Sequence, residues 1–235
     1  LFIFNIVNMF DNIDLGLTSI TIPIIIFLPE PKADNKVPLF KAISSGFKQI
    51  KETFMHIREM KIIGTFLLAF WLYEDGVATI VRMAAKIASS LGFAAGDIIT
   101  AILMVQFIGF PAALLYNWFA KKIGVKNAVL VAIVGYGCIT ILGYLMTDIT
   151  HFYVLAAMIG IFQGGIQSLS RSLFTRLVPK NKEAEFFGFY NMLGKFSAVV
   201  GPVLLGTVTL ITGNARLGLF ALVILFVGGG LSLIK

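Results

Sequence analysis

Six apolar runs follow one another along most of the chain, and they constrain its fold more than any other feature. They lie near residues 62–86, 98–119, 128–146, 152–175, 188–211 and 217–234. A helix needs about 20 apolar residues to cross a bilayer. The 235-residue chain is 58% hydrophobic and 13% charged, whereas soluble domains are about 45–50% apolar and about 25% charged. The sequence therefore predicts an all-α polytopic membrane protein.

The distribution of basic residues predicts how these runs are oriented. The net charge of +7 could indicate a nucleic-acid partner in a soluble protein. Here Lys and Arg concentrate in every second connection between runs, namely 29–61, 121–127 and 176–187. Membrane proteins keep such basic loops in the cytoplasm. We therefore expect these three connections on the cytoplasmic side, with the lipid bilayer as partner and no nucleic acid.

The residues that most often carry metals or catalysis are scarce. Cys138 is the only cysteine, and His56 and His151 have no ligand-like spacing, so neither a disulfide framework nor a metal site is expected. The sequence contains no GxxxxGK[ST], no HExxH and no recognisable nucleophile–base pair, which are the motifs of common hydrolytic chemistry. We expect no cofactor, no direct use of ATP and no enzyme activity.

The first 61 residues differ in composition from the rest. Residues 1–28 are apolar but interrupted by Asp11 and Asp14, and we interpret them as the end of an N-terminal transmembrane half. Residues 29–61 combine lysines with apolar side chains at steps of three and four, which predicts a cytoplasmic loop with an amphipathic helix. Residues 62–235 form the C-terminal six-helix half. In a transporter of two six-helix halves, the chain would begin with remnants of helices five and six, and the N-terminal half of the same chain would be its missing partner.

Two adjacent carboxylates, Glu74 and Asp75, lie inside the first of the six runs. At 1.5 Å per residue they fall near the middle of the membrane, where a charge is costly and is expected to face a cavity or a partner. Gly76 follows and could break the helix there. One acid could take a proton or a substrate amine while the other pairs with a cation. A solvated vestibule or a structural ion pair remains the alternative.

A polar stripe marks the fourth run, because Gln163, Gln167 and Arg171 recur four residues apart. Its amides could bind a polar solute, and Arg171 could bind a carboxylate through two hydrogen bonds. Asn191 and Lys195 have the same spacing on the fifth run, where Lys195 could balance an acid or meet a carboxylate. The alternatives are hydrogen bonds between helices and basic side chains that extend to the membrane surface.

Two segments resemble a known family. Residues 163–206, QGGIQSLSRSLFTRLVPKNKEAEFFGFYNMLGKFSAVVGPVLLG, resemble the signature of the vacuole-effluxer-like branch of the major facilitator superfamily. Residues 70–84, FWLYEDGVATIVRMA, resemble the seventh helix of that family, in which a Tyr-x-Asp-Gly core is typical. The resemblance adds Tyr73 to the candidate substrate or proton site, and Glu74 stands where Asn is expected.

A third segment resembles the superfamily more loosely. Residues 116–130, YNWFAKKIGVKNAVL, are similar to its loop between helices eight and nine. Gly124 and Lys126 match that pattern, whereas Asn117 and Lys121 stand where Gly and Asp are expected.

The family resemblance implies the C-terminal half of a major-facilitator fold. It implies a transporter of small polar solutes, with amino acids the best-supported class for the fungal relatives. Together with the two-half layout and the two acids, it leads us to expect a secondary active transporter that works by alternating access, coupled to protons through Glu74 or Asp75. A non-transporting membrane scaffold or regulatory half-transporter is the alternative. The Lys-, Ile- and Phe-rich composition fits a bacterial cytoplasmic (inner) membrane.

Overall fold

The computed structural model describes residue 55 and residues 60–180 and 182–234. The predicted helix remnants in 1–28, and nearly all of the predicted loop helix in 29–61, lie outside the described residues.

The described residues form helices joined by short connections. These are α1 (Lys61–Ser90), α2 (Ala95–Ile123), α3 (Val125–Leu145), α4 (Ile149–Leu177), α5 (Glu183–Phe196), α6 (Val200–Thr212), α7 (Ala215–Ala221) and α8 (Val223–Ile234). Within the part of the chain that the structure describes, six helical segments are long and apolar enough to cross a membrane, the fifth being Glu183–Thr212 and the sixth Arg216–Ile234. The predicted all-α polytopic fold is confirmed, and we refer to these segments as spans one to six.

The connections reverse the chain over very few residues. Gly124 alone separates α2 from α3 and has φ of +88°, a conformation that favours glycine. Lys126, at the start of α3, donates a hydrogen bond from Nζ to the carbonyl oxygen of Ile234 at 3.0 Å. The α2–α3 connection and the end of α8 therefore lie on the same side of the helices, as the charge pattern predicts.

Glycines let α2 and α4 approach closely. The spacing of Gly160 and Gly164 predicts such packing. A Cβ at Gly160 would lie 3.0 Å from the Val105 carbonyl oxygen, and one at Gly164 would overlap the carbonyl oxygen of Gly109. The two backbones are thus in direct contact, and the packing prediction is confirmed.

Gly76 has a packing role as well. Helix α1 runs unbroken through it, so the prediction that Gly76 interrupts the first span is wrong. A Cβ there would lie 2.7 Å from Cζ of Phe226, which belongs to α8. Because glycine has no side chain, an aromatic ring of span six can pack directly against α1 at this position. The helix continues through Gly76 without a break.

The interruption lies in span five instead. Helix α5 ends at Phe196 and α6 begins at Val200. Pro202 occupies the first turn of α6, where its ring would collide with the carbonyl group four residues earlier if the helix were continuous. Span five is therefore two half-helices that meet near its middle.

Candidate functional site

Polar residues of three spans lie near the middle of their helices. Glu74, Tyr136 and Gln163 each lie within two residues of the middle of α1, α3 and α4, respectively. The break in span five, at residues 197–199, also lies at the middle of that span. We call Glu74, Tyr136, Gln163 and Tyr190, which lies one to two turns before the break, the central polar layer.

Glu74 is the charged member of this layer. Its side chain is partly exposed, and among the described residues it forms no hydrogen bond or ion pair. The hydroxyl groups of Tyr73, Tyr136 and Tyr190 all lie within electrostatic range of its carboxylate. A carboxylate within range of three phenols, and with no cationic partner among the described residues, is suited to receive a proton or a cationic group from elsewhere.

Two further polar atoms in the layer have no partner in the described chain. Tyr136 is fully buried, and its hydroxyl forms no hydrogen bond. The Oε1 atom of Gln163 is also buried and unpaired. Buried polar groups are nearly always hydrogen-bonded, so such atoms point to a solute, a proton carrier or water as partner. Gln163 was predicted from the polar stripe, whereas Tyr136 was not.

Tyr73 is engaged within the protein. Its hydroxyl lies 2.6 Å from Oγ of Ser170, and Ser170 donates to the Ile166 carbonyl oxygen at 2.5 Å. Both side chains are buried. This hydrogen bond ties α1 to α4, so Tyr73 lies behind Glu74 and supports the layer from within.

Arg171 and Asn191, predicted from two different spans, are brought together. Arg171 Nη2 donates to Asn191 Oδ1 at 3.4 Å, and both residues are exposed in the described chain. Because a charged side chain facing lipid is costly, the exposed Arg171 marks a face of α4 that we expect to meet water or further protein.

Tyr190 interacts with residues of span one, which carries Glu74, and of span four, which carries Arg171. Its ring stacks on Phe70, with centroids 4.2 Å apart, and on Phe174, at 4.8 Å. Its hydroxyl lies within electrostatic range of both the Glu74 carboxylate and the Arg171 guanidinium. One phenol is therefore influenced by both an anionic and a cationic side chain. Sequence reasoning missed Tyr190, although it directly precedes Asn191, which was singled out.

Gln167 and Lys195 are exposed in the described chain. Neither side chain makes a hydrogen bond or an ion pair with another described residue. They lie on the same helices as Arg171 and Asn191, one turn away in each case, but the structure does not bring them to Glu74.

Asp75 points away from the central polar layer. Its side chain is 1% exposed, and its Oδ2 accepts a hydrogen bond from the backbone N–H of Gly201 at 2.8 Å. Arg82 lies within electrostatic range, but no described Lys or Arg forms an ion pair with Asp75. The partner of Asp75 is thus a helix backbone, whereas a cationic side chain was expected.

Over residues 60–180 and 182–234, no three His, Cys, Asp or Glu side chains are grouped so that they could hold a metal ion. The polar and titratable groups of the layer can transfer protons, form hydrogen bonds and pair with charges.

Comparisons with known proteins agree on one family. Residues 16–234 match the family described as vacuole effluxer Atg22 like. An uncharacterised MFS-type transporter, YxiO, of Bacillus subtilis is 36% identical over 209 residues, which are 89% of this chain and 48% of the relative. Autophagy-related protein 22 of Yarrowia lipolytica is 31% identical over 198 residues, 79% of this chain and 33% of that protein. The same-named protein of Kluyveromyces lactis is 26% identical over 194 residues, 77% and 39% of the two chains.

The chain thus spans about half the length of the bacterial relative and about a third of the Yarrowia protein. The bacterial relative carries the name of a transporter, which agrees with the expectation that the chain is not an enzyme.

Proposed function

The chain belongs to the Atg22-like vacuole effluxer family, and from that premise we propose that it is part of a secondary active transporter. In this proposal a second half completes the protein, and the two halves alternate access around the central polar layer. The non-transporting alternative has no observation in its favour.

We further propose that Glu74 couples solute movement to protons. The observation that carries this proposal is the position of Glu74 at the middle of span one. There it has no cationic partner among the described residues, and it lies within electrostatic range of three tyrosine hydroxyls. An ionisable side chain within a membrane span is expensive unless it has a function. A carboxylate there is stable when it holds a proton or a bound cation, and it cannot remain charged and unpaired in a closed cavity.

The solute class we propose is small zwitterions such as amino acids. Glu74 and Arg171 supply opposite charges, and both lie within electrostatic range of the Tyr190 hydroxyl. A solute amine would pair with the carboxylate, and a solute carboxylate would pair with the guanidinium, which can donate two parallel hydrogen bonds. Gln163 and Gln167, on the same helix as Arg171, would contact the remaining polar atoms of the solute, and Asn191 and Lys195 would line the cytoplasmic approach.

For the membrane, we propose the bacterial cytoplasmic membrane. Of the three relatives named above, the bacterial protein is the most similar to this chain. The six candidate spans and the alternation of basic connections fit any membrane with a cytoplasmic face, so the choice rests on similarity alone.

The test uses the full-length protein encoded by the gene, in membrane vesicles. Uptake of a mixture of labelled amino acids is measured with and without an imposed pH gradient. The variants are wild type, Glu74→Gln, and the matched control Glu183→Gln, which makes the same change at an exposed residue of the first turn of α5.

We expect gradient-driven uptake in the wild type and in Glu183→Gln, and none in Glu74→Gln, because a Gln side chain cannot carry a proton. Uptake in Glu74→Gln equal to that of the wild type would remove Glu74 from the coupling mechanism. If the wild type moves no amino acid, the proposed solute class is wrong.

A further inference from the structure

The break in span five leaves backbone N–H groups that need partners. The first N–H groups of any helix lack partners within that helix. In α6 these include the N–H groups of Val200 and Gly201, whereas Pro202 has none to offer. The residue that precedes the helix, Val199, supplies no side-chain hydrogen bond. The break therefore requires a cap from elsewhere in the protein.

Span one supplies that cap through Asp75. The N–H of Gly201 donates to Asp75 Oδ2 at 2.8 Å, and the N–H of Val200 interacts with the same carboxylate. A carboxylate is the preferred partner at this end of a helix, because it both accepts hydrogen bonds and meets the positive end of the helix dipole. The capping residue and the helix it caps are far apart in sequence, so this contact fixes tertiary structure.

The contact is closed to solvent and tightly packed. Asp75 and Thr79 are 1% and 0% exposed. A Cβ at Gly201 would overlap Oγ1 of Thr79 and would lie 3.0 Å from Asp75 Oδ1. The Asp75 Oδ1 atom faces the Thr79 hydroxyl without a well-formed hydrogen bond. The start of α6 can approach α1 this closely only because residue 201 is glycine.

Span one contacts span five on both sides of the break. Helix α5 packs on α1 through the stacked rings of Tyr190 and Phe70, and α6 through Asp75 and Gly201. Glu74 lies between these two contacts on α1. A shift of α1 at Glu74 therefore moves the anchor points of both half-helices.

We propose that Asp75 is a positioning residue whose carboxylate caps α6 and holds the second half of span five against span one, and that it carries neither protons nor solute. The two adjacent acids then have separate roles. The claim that Asp75 carries no proton rests on the proposed function, because only a transport measurement tests it. The capping of α6 by Asp75 can be measured without any transport.

The experiment measures hydrogen exchange by mass spectrometry on the full-length protein in lipid nanodiscs, with peptides that cover residues 197–205. In Asp75→Ala we expect the first-turn amides of α6 to exchange about tenfold faster, the typical effect of losing a cap. Asp75→Asn is expected to stay close to wild type, because its amide oxygen also accepts from Gly201. Glu74→Gln is the matched control and should not change exchange in this segment.

Gly201→Ala provides a second route, in case Asp75→Ala does not fold. It leaves Asp75 intact but places a methyl group against Thr79, so faster exchange of the same amides is expected. Unchanged exchange in both Asp75→Ala and Gly201→Ala would overturn the capping role.

Transport measurements then distinguish a positioning role of Asp75 from a proton-carrying role. Asp75→Asn is expected to retain pH-gradient-driven uptake, whereas Glu74→Gln loses it. Asp75→Asn protein with normal exchange but no gradient-driven uptake would overturn the positioning role, because the ionisable group itself would then be required. If wild type moves no solute, the proposed transport function fails, while the exchange result still decides whether Asp75 caps α6.

Discussion

Adjacent side chains on a helix point about 100° apart, and this rotation separates the two acids of span one. Glu74 lies within electrostatic range of three tyrosine hydroxyls and has no cationic partner among the described residues. Asp75 is buried against the backbone of α6. The pair is therefore better understood as two neighbouring sites than as one dicarboxylate, and single substitutions should have different consequences.

Tyr190→Phe tests whether transport needs the Tyr190 hydroxyl, which lies within electrostatic range of both Glu74 and Arg171. The substitution keeps the ring that stacks on Phe70 and Phe174 and removes the hydroxyl that lies near Glu74 and Arg171. In the proposed site this hydroxyl hydrogen-bonds a charged group of the bound solute, so its loss should lower kcat/KM for uptake by about tenfold or more, with little change in the thermal unfolding midpoint. Tyr144→Phe, near the end of α3, is the control and should leave both quantities unchanged. Normal uptake in Tyr190→Phe would remove Tyr190 from the site.

Two buried tyrosines should respond oppositely to loss of the hydroxyl. Tyr73 is hydrogen-bonded to Ser170 at 2.6 Å, so Tyr73→Phe should lower the free energy of unfolding by about 1 kcal/mol. Tyr136 has no partner in the described chain, so Tyr136→Phe should leave it unchanged or raise it. Denaturant titration of the purified protein in detergent measures both. A clear destabilisation by Tyr136→Phe would mean that its hydroxyl is satisfied inside the protein and does not await a solute.

At the scale of helices, glycine acts mainly by allowing close packing. Gly76 accommodates the ring of Phe226, and Gly164 accommodates the backbone of α2 at Gly109. The discontinuity in span five has another cause, since Pro202 excludes a continuous helix. Spans one and four are each one continuous helix, while span five has two parts that both contact α1.

Gly164→Ala tests the contact between α2 and α4. The added methyl group would collide with the Gly109 carbonyl and lie 3.2 Å from the Ala113 nitrogen, and backbone atoms cannot move aside as a side chain can. We expect a loss of about 1–3 kcal/mol in the free energy of unfolding. Gly137→Ala is the control, because no atom lies within 4 Å of a Cβ there. Equal stability of the two variants would contradict the close backbone contact.

Sequence reasoning recovered the elements better than the site. The six spans were predictable because their apolar length has no other explanation, and the polar stripe on α4 because its spacing matches the helical repeat. Gly76 suggested a break in span one, but the break lies in span five. A glycine within a helix can allow close packing as well as flexibility, so it does not by itself locate a break. Tyr136 and Tyr190 were missed because an aromatic residue in an apolar span usually packs, and only the tertiary structure shows which hydroxyl lacks a partner.

At the scale of the whole molecule, the described chain exposes more apolar surface than a finished protein in water could tolerate. Helix α2 is the least enclosed span and has a row of exposed side chains, namely Ile99, Leu103, Phe107, Phe110, Leu114 and Trp118. Lipid or further protein must cover this surface. The match covers 48% of the bacterial relative, and in the proposed function a second half would cover part of this surface.

The orientation in the membrane can be tested with single cysteines. In a Cys138→Ser background, Lys122→Cys and Lys180→Cys should react with a membrane-impermeant maleimide only after the cells are opened, because both lie in basic connections. Thr147→Cys, at the opposite ends of the helices, should react in intact cells. The reverse pattern would invert the proposed topology.

The most direct test of the account is whether solute drives proton movement through Glu74. The full-length protein would be reconstituted in liposomes that contain a pH-sensitive dye, and a mixture of amino acids would be added without any imposed gradient. The account predicts a solute-dependent pH change inside the liposomes for the wild type and for Asp75→Asn, and none for Glu74→Gln. A pH change of equal size in Glu74→Gln would contradict the claim that the carboxylate at the middle of span one couples transport to protons.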